Sequence, residues 1–182
     1  MPQNYPVAFE YFLQAAREGT LKAKYYVGFM HYHGRGVAQS YVEAVDWFYL
    51  AAEEGHAPSQ YYLGIIYYYG RGVTGDMKTS FTWHEKAAQQ DHPAAQYYLG
   101  LMYKEGKYVE KNQEQALFWF EKAVQEGDLN AKRHLQQLKK KIEKAKITSA
   151  TIVVDQSRKN ITKEARQKEQ PKSVVIQSEQ NS

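Results

Sequence analysis

The segment QYYLGIIYYYGRGV, residues 60–73, contains two short motifs that recur along the chain at a fixed distance. The first motif, YYLG or YYVG, begins at Tyr25, Tyr61 and Tyr97, so each copy lies 36 residues after the previous one. The second motif, GRGV or its variant GKYV, has the same period and begins at Gly34, Gly70 and Gly106. Because a constant period of roughly 20–50 residues is typical of repeat proteins, the sequence predicts a tandem array of similar units.

Each unit is predicted to hold two helices with the GRGV turn between them. The second helix starts after a residue whose side-chain oxygen can accept a hydrogen bond from a free backbone N–H. Glu43 lies three residues after the predicted cap Ser40, and Gln115 lies three residues after the predicted cap Asn112. Both pairs predict reciprocal capping boxes. The predicted caps are Asn4, Ser40, Asp76 and Asn112, and the glycines predicted to end these helices are Gly19, Gly55 and Gly127. The first helices are predicted to start near Thr20, His56, His92 and Asp128.

Small and large residues recur at fixed places in the two helices. Gly28, Gly64 and Gly100 lie in the middle of the first helices, where a glycine costs about 1 kcal/mol relative to alanine. We expect close helix contacts to offset this cost, with the alanines of the second helices as partners, namely Ala51, Ala87 and Ala123. The aligned indole rings are expected to fill wider gaps between neighbouring units, and they belong to Trp47, Trp83 and Trp119.

Two segments of the third unit, AAQYYLGLMYKEG and ALFWFEKAVQEG, resemble the Sel-one-like repeat (SLR) family, a relative of the tetratricopeptide repeat. The resemblance extends from about Asn4 to Leu138 and includes the GRGV turn and the helix AVDWFYLAAEEG. It implies an all-α fold, a right-handed α/α superhelical solenoid of about 3.5 helix-turn-helix repeats of 36 residues. Tyr108 stands where the family usually has glycine, so the third turn is expected to be distorted.

The repeat frame divides the chain into six parts. A partial repeat with only the second helix covers residues 4–19, and three full repeats cover residues 20–55, 56–91 and 92–127. A C-terminal capping helix is predicted at residues 128–146. Its lysine-rich surface favours a role as the polar cap of the array. The alternative is a basic surface that contacts an acidic partner, a membrane surface or nucleic acid. Residues 147–182 are rich in Gln, Ser, Lys and Asn and are predicted to form a disordered tail.

One stripe of each first helix is predicted to line the concave surface, where solenoid proteins bind their ligands. In the second unit, helical spacing separates a packing stripe that contains Leu63 and Ile66 from a second stripe. Tyrosine gives a rigid contact area with a polar tip, which suits an interface; the alternative for each tyrosine is a structural role between units. The predicted partner-binding residues are Tyr26, Phe29, His33, Tyr62, Ile65, Tyr69, Tyr98, Leu101 and Glu105.

The sequence thus predicts a non-catalytic scaffold or adaptor that binds a peptide or helix of another protein in its groove. Neither specific nucleic-acid recognition nor membrane association is expected, and the oligomeric state is left open. Cysteine-rich members of the family are linked to penicillin binding and β-lactam hydrolysis, so a β-lactamase-like hydrolase or a penicillin-binding SLR protein is the alternative; the absence of cysteine argues against it. Because the repeat frame begins within a unit, a fragment of a larger SLR adaptor is a further alternative.

No catalytic, metal-binding or cofactor-binding residue is predicted. His31 and His33 form an H-x-H pair, but residues i and i+2 of a helix point about 200° apart and cannot easily chelate one ion. His56 and His92 are predicted to act at helix starts. His84 replaces an aromatic residue of the neighbouring units and is predicted to be partly buried. Without cysteine, the chain has neither disulfides nor thiolate sites.

The net charge of +4 is unevenly distributed. Residues 1–131 contain 11 Lys/Arg and 15 Asp/Glu, a net charge of −4, whereas residues 132–182 contain 13 and 5, a net charge of +8. The basic character therefore belongs to the C-terminal part. The N-terminal segment MPQNYPVAFEYFLQAAREG does not have the pattern of a signal peptide, since Arg17 is its first basic residue, and a cytoplasmic location is expected.

Overall fold

The computed structural model describes the backbone of residues 4–168 and the side chains of residues 4–162. Within this range the chain forms helices and turns and no β-strand, which confirms the predicted all-α solenoid. Of the described residues, those up to Lys139 form one compact unit, in which each of the first seven helices packs against its neighbour along the chain. The helices are α1 (Tyr5–Arg17), α2 (Leu21–His33), α3 (Tyr41–Glu53), α4 (Ala57–Tyr69), α5 (Met77–Ala88), α6 (Pro93–Glu105), α7 (Gln113–Gln125) and α8 (Leu129–Lys168).

The predicted helix starts are confirmed at all four second helices. The side chains of Asn4, Ser40, Asp76 and Asn112 each accept a hydrogen bond from a backbone N–H in the first turn of their helix. The first helices α2, α4 and α6 end at Gly34, Gly70 and Gly106, which adopt left-handed backbone angles. The sequence therefore encodes the helix boundaries locally, through caps and turn residues.

The capping boxes are formed only in half, which corrects their prediction. Ser40 Oγ accepts from the N–H of Glu43 at 3.2 Å, but the N–H of Ser40 itself donates to the carbonyl of His31 at 3.0 Å. In the third unit the N–H of Asn112 likewise donates to the carbonyl of Tyr103 at 2.9 Å. This N–H is not available for a reciprocal side-chain bond, because it ties the second helix to the first helix of its own unit.

The third turn keeps the geometry of the other two, contrary to the expectation that Tyr108 distorts it. Tyr108 has φ 67°, close to the values of 75° and 73° at Gly36 and Gly72. A Cβ at Gly36 would lie 2.3 Å from the carbonyl oxygen of Tyr5, so glycine is required there by space as well as by backbone angle. Tyr108 instead places its ring beside Phe81, with the centroids 5.5 Å apart.

The mid-helix glycines permit a close helix contact, as predicted, but their partners are aromatic rings and not the alanine row. A Cβ at Gly64 would lie 2.5 Å from His84 Cε1, and a Cβ at Gly100 would lie 2.6 Å from Phe120 Cδ1. The three rings stand one period apart on the second helices and are Phe48, His84 and Phe120. Each glycine thus lets the ring of the same unit's second helix lie close against the first helix.

The tryptophans pack between neighbouring units, as predicted. Trp83 is buried in a cluster that includes Ala44 and Ala52 of the preceding unit. Trp119 packs against a cluster that contains Ala87 and Ala88. These contacts join units that could not bury their own apolar surface singly.

The last helix, α8, differs from the predicted C-terminal boundary. The helix was predicted to end at residue 146 and a disordered tail to start at residue 147, whereas α8 continues to Lys168. The physical reason is that residues 129–168 contain neither glycine nor proline, the strongest helix breakers, and the first proline is Pro171. Residues 169–182 of the predicted tail lie outside the described residues.

The helices formed by residues 4–168 include none whose length and apolar content would suffice to cross a bilayer.

Candidate protein-interaction surface

The nine predicted partner-binding residues lie on the first helices α2, α4 and α6, and we call the surface that they form the Tyr-rich face. Its members differ in exposure. Tyr26 and Tyr69 are 42% and 54% exposed, and His33 and Glu105 are exposed as well. The half-buried members are Phe29, Tyr62, Tyr98 and Leu101.

Ile65 is the one predicted contact residue that the structure places in the core. Its side chain is only 5% exposed and belongs to the same buried cluster as Leu63 and Ile66. Helix α4 has neighbouring helices on several sides, so a position that helical spacing assigns to the open stripe is covered by tertiary packing. Ile65 therefore supports the Tyr-rich face from below and does not present a side chain to a partner.

Tyr62 and Tyr98 fill the gaps between successive units with most of their ring surface. The ring of Tyr62 stacks on Phe48, with the centroids 4.7 Å apart and the planes at 12°. The ring of Tyr98 stacks in the same way on His84, at 4.9 Å and 10°. These contacts correspond to the structural role that was the alternative for each single tyrosine, and they leave the hydroxyl ends as the polar part of the face.

The hydroxyl ends connect the packed rings to the exposed residues. The Tyr62 hydroxyl lies 3.3 Å from His33 Nε2, and the Tyr98 hydroxyl lies 3.3 Å from that of Tyr69. Burial, more than any neighbouring group, raises the pKa of Tyr62 and of Tyr98 well above the usual value of a tyrosine. Both phenols therefore stay neutral at physiological pH and can donate or accept a hydrogen bond.

Basic residues of the inter-helix turns, for which no role was predicted from the sequence, lie over aromatic rings of this surface. Arg71 donates a hydrogen bond to the hydroxyl of Tyr32, and its guanidinium lies 5.0 Å from the ring centroid of Tyr69. The guanidinium of Arg35 lies 5.2 Å from the ring centroid of Phe29. A signal in the sequence could have found them, because a basic residue recurs at the same place in every turn.

Lys107 is the equivalent basic residue of the third turn, and it has a carboxylate beside it. Its ammonium donates to the hydroxyl of Tyr68 at 2.5 Å and lies 2.9 Å from Glu105 Oε2. The hydrogen bonds to Tyr68 and Glu105 raise the pKa of Lys107 to about 12. The charged end of the Tyr-rich face is therefore an internal ion pair.

The histidines outside this face have local or core positions. Nδ1 of His56 accepts from the N–H of Ser59 at 3.3 Å, and Nδ1 of His92 accepts from the N–H of Ala95 at 3.4 Å, so both are helix caps as predicted. His84 is fully buried rather than partly buried. Among the described residues, no three His, Cys, Asp or Glu side chains form a group that could hold a metal ion.

A comparison with family models finds the Sel1 repeat at residues 1–20, 21–56, 57–92 and 93–128. A comparison with curated protein sequences finds no significant match. The family model thus matches one partial unit and three complete units, and each complete unit has the 36-residue length of the repeat in the sequence.

Several solved structures are similar to this chain. A protective antigen of uropathogenic Escherichia coli strains, which displays an SLR fold, is 31% identical with a TM-score of 0.70 and covers 72% of this chain. A Sel1 repeat protein from Oxalobacter formigenes is 30% identical with a TM-score of 0.69 and also covers 72%. Cysteine-rich protein B of Helicobacter pylori is 25% identical with a TM-score of 0.52; the match covers 65% of this chain and 91% of that protein.

The chain spans 28% of the length of the Escherichia coli antigen and 53% of the length of the Oxalobacter formigenes protein. The likeness to both structures supports the repeated helical fold of this chain. The chain belongs to the Sel1 repeat family.

Proposed function

We propose that this chain is a non-catalytic scaffold that binds a peptide or helical segment of another protein on the Tyr-rich face. Proteins of the Sel1 repeat family are in general protein-interaction scaffolds. The observation that carries the proposal is the exposure of Tyr26 and Tyr69 on helices whose other tyrosines are held by packing. Exposed aromatic rings on a rigid support are what interface anchors require, because little side-chain entropy is lost on binding.

The rigid support is visible in the contacts of these two residues. The ring of Tyr26 stacks on Phe12, with the centroids 4.7 Å apart, and the Tyr69 hydroxyl lies beside that of Tyr98. A partner that covers both tyrosines would bury apolar ring surface and keep their polar tips hydrogen-bonded. Binding of a single segment in this way is expected to be modest, with a Kd of about 1 μM or about 8 kcal/mol.

We expect the double variant Tyr26→Ala/Tyr69→Ala to lose peptide binding. Peptides selected on the wild-type protein from a displayed random library would be measured by isothermal titration calorimetry. Loss of two ring anchors should weaken binding about tenfold or more, since each anchor contributes on the order of 1 kcal/mol. Circular dichroism and urea unfolding should show a folded protein, because both residues are about half exposed and lie outside the buried clusters.

The matched control is Tyr49→Ala/Phe118→Ala, two rings of similar exposure, 47% and 48%, on the second helices α3 and α7. This control should bind the selected peptides like the wild type. Peptides that are lost with the control and retained by the Tyr26/Tyr69 variant would place the binding surface on the second helices and contradict the proposal.

A further inference from the structure

Arg35 and Arg71, whose side chains lie over rings of the Tyr-rich face, have no carboxylate beside them. Among residues 4–162, no Asp or Glu oxygen lies within ion-pair distance of either guanidinium. Arg71 is half-buried and donates to the phenol of Tyr32, a neutral partner. A guanidinium has five N–H donors in a fork that suits carboxylates, so both side chains retain donors for an external anion.

The two arginines act on the same exposed residue, His33. Burial lowers the pKa of His33, and the charges of Arg35 and then Arg71 lower it further. The guanidinium of Arg35 lies 5.2 Å from the ring centroid of Phe29, which lies 4.3 Å from that of His33. The guanidinium of Arg71 lies 5.6 Å from the ring centroid of Tyr32, which lies 4.9 Å from that of His33. Two cationic groups are thus near the same imidazole. Like charges that share a partly desolvated site repel each other, and an anion bound between them would relieve this repulsion.

The third unit of the same chain shows which anion fits. Position by position along the repeat, Arg35 and Arg71 correspond to Lys107. Two residues earlier, His33 and Tyr69 correspond to Glu105, whose carboxylate lies 2.9 Å from the ammonium of Lys107. The third unit therefore supplies its own carboxylate at the place where the first two units supply none.

We propose that the first two units bind an acidic segment of a partner protein, whose Asp or Glu side chains pair with Arg35 and Arg71 as Glu105 pairs with Lys107. This inference rests on the proposed function and adds the class of partner. Apolar residues of the same segment contact Tyr26 and Tyr69, and the carboxylates occupy the space around His33.

An acidic peptide suits this surface better than a nucleic acid does. Single-stranded nucleic acid is bound through base stacking on free aromatic faces and through an extended basic groove. Here one face of the Tyr62 ring is covered by Phe48, and one face of the Tyr98 ring is covered by His84. Two uncompensated guanidinium groups match a few discrete carboxylates and not a continuous row of phosphates.

The test uses the full chain and peptides from a displayed library in which two central positions are Glu, each with a counterpart that has Gln at both positions. The Glu and Gln peptides have blocked termini. One additional peptide without Glu keeps a free C-terminal carboxylate and tests whether a terminal carboxylate can replace the Glu side chains. Fluorescence anisotropy should show that the Glu peptides bind about tenfold more tightly than the Gln peptides, as expected for charge-assisted pairs. Their binding should weaken as the salt concentration rises.

The variant pair His33→Glu and His33→Gln gives the sharpest comparison. His33→Glu places a carboxylate at the position of Glu105 and should compete with the peptide, weakening binding of the Glu peptides about tenfold relative to His33→Gln. Arg35→Gln should weaken their binding by a similar factor, and Arg71→Lys, which keeps the charge but loses the fork, by a smaller one. Lys78→Gln, an exposed cation on α5, is the matched control and should bind like the wild type.

Two results would overturn the inference and are distinguishable from failure of the proposed function. In the first, binding depends on Tyr26 and Tyr69, but the Glu and Gln peptides bind equally and Arg35→Gln has no effect. This result would refute the proposal of an acidic partner segment and leave the proposed interaction surface intact. A single-stranded oligonucleotide that binds more tightly than the Glu peptides in an Arg35-dependent manner would refute it in favour of nucleic acid. A library without any peptide that depends on Tyr26 and Tyr69 would refute the proposed function itself.

Discussion

Replacing His84 by phenylalanine should stabilise the protein by about 1–2 kcal/mol at pH 7.5 and by about 3–4 kcal/mol at pH 5. The imidazole is fully buried, and neither of its nitrogens has a hydrogen-bond partner. Phenylalanine occupies the same position in the neighbouring units, at Phe48 and Phe120, and lies against the same mid-helix glycine position there. A phenyl ring therefore fits the site and removes two buried polar atoms.

The dependence on pH follows from the protonation of His84. Burial, and to a lesser degree the charge of His92, lowers the pKa of His84 from 6.5 to about 3. Between about pH 3 and pH 6.5 the unfolded chain binds a proton at His84 that the folded chain does not bind. The free energy of unfolding is therefore unaffected by this proton above pH 6.5 and decreases as the pH falls below 6.5. At pH 5 the loss is about 2 kcal/mol, because each pH unit corresponds to about 1.4 kcal/mol.

Urea unfolding at pH 7.5, 6.5, 5.5 and 5.0, monitored by circular dichroism, would measure this difference. The wild type should lose more stability than His84→Phe over the range. Four other histidines with lowered pKa, His33, His56, His92 and His134, contribute equally to both proteins. Their effect cancels in the comparison, and parallel curves for the two proteins would contradict the assignment to His84.

The matched control places the same ring in the equivalent position of the first unit. Phe48 stacks on Tyr62 as His84 stacks on Tyr98. Phe48→His should therefore make the protein less stable and steepen the loss of stability below pH 6.5. A Phe48→His variant with the same pH dependence as the wild type would show that burial at this position does not control the imidazole.

Gly100→Ala should destabilise the protein by about 2 kcal/mol, the opposite sign to the effect in an exposed helix. Helix propensity alone predicts a gain of about 1 kcal/mol for this change. The new Cβ, however, would lie 2.6 Å from two ring carbons of Phe120, which is closer than real contacts allow, and overpacking costs about 1–3 kcal/mol or more. Urea unfolding at pH 7.5 measures the sign directly, and a neutral or stabilised variant would contradict the close contact.

A double-mutant cycle with Phe120→Leu would show that the ring is the cause. Leucine is smaller and flexible, so the methyl group of Gly100→Ala should be tolerated better beside it. The two changes together should cost less than the sum of the separate changes, with a coupling energy of about 1 kcal/mol. Additive effects would indicate that the loss at Gly100 arises elsewhere.

Most of the fold could be predicted because its signals lie close together in the chain. The caps at Ser40 and Asn112 and the left-handed glycine turns depend on residues a few positions apart, and the structure places them as predicted. The end of the last helix was harder to predict, since its exposed polar composition also resembles that of a disordered segment. The absence of glycine and proline between residues 129 and 168 was the signal for the longer helix.

The candidate surface could be predicted only in outline. Helical spacing identified the first helices and their tyrosines, but it assigned Ile65 to an exposed stripe. It gave no indication of Arg35 and Arg71, because these residues lie in the turns outside the helices. The exposure of a side chain depends on the neighbouring helices, and these come from residues roughly 30–40 positions away in a repeat of this period. Spacing within one helix does not contain that information.

The sequence by itself determined the repeat period, the boundaries of the helices in the repeats, the family and the face of each unit that carries tyrosine, because each of these follows from residues within one unit or from the repetition of the unit. The tertiary structure decided which ring each mid-helix glycine meets, which tyrosines are held between units, and that Arg35 and Arg71 lie near His33 without a carboxylate. These features arise from side chains of different helices in contact, and contact energies and burial exist only once the units have stacked.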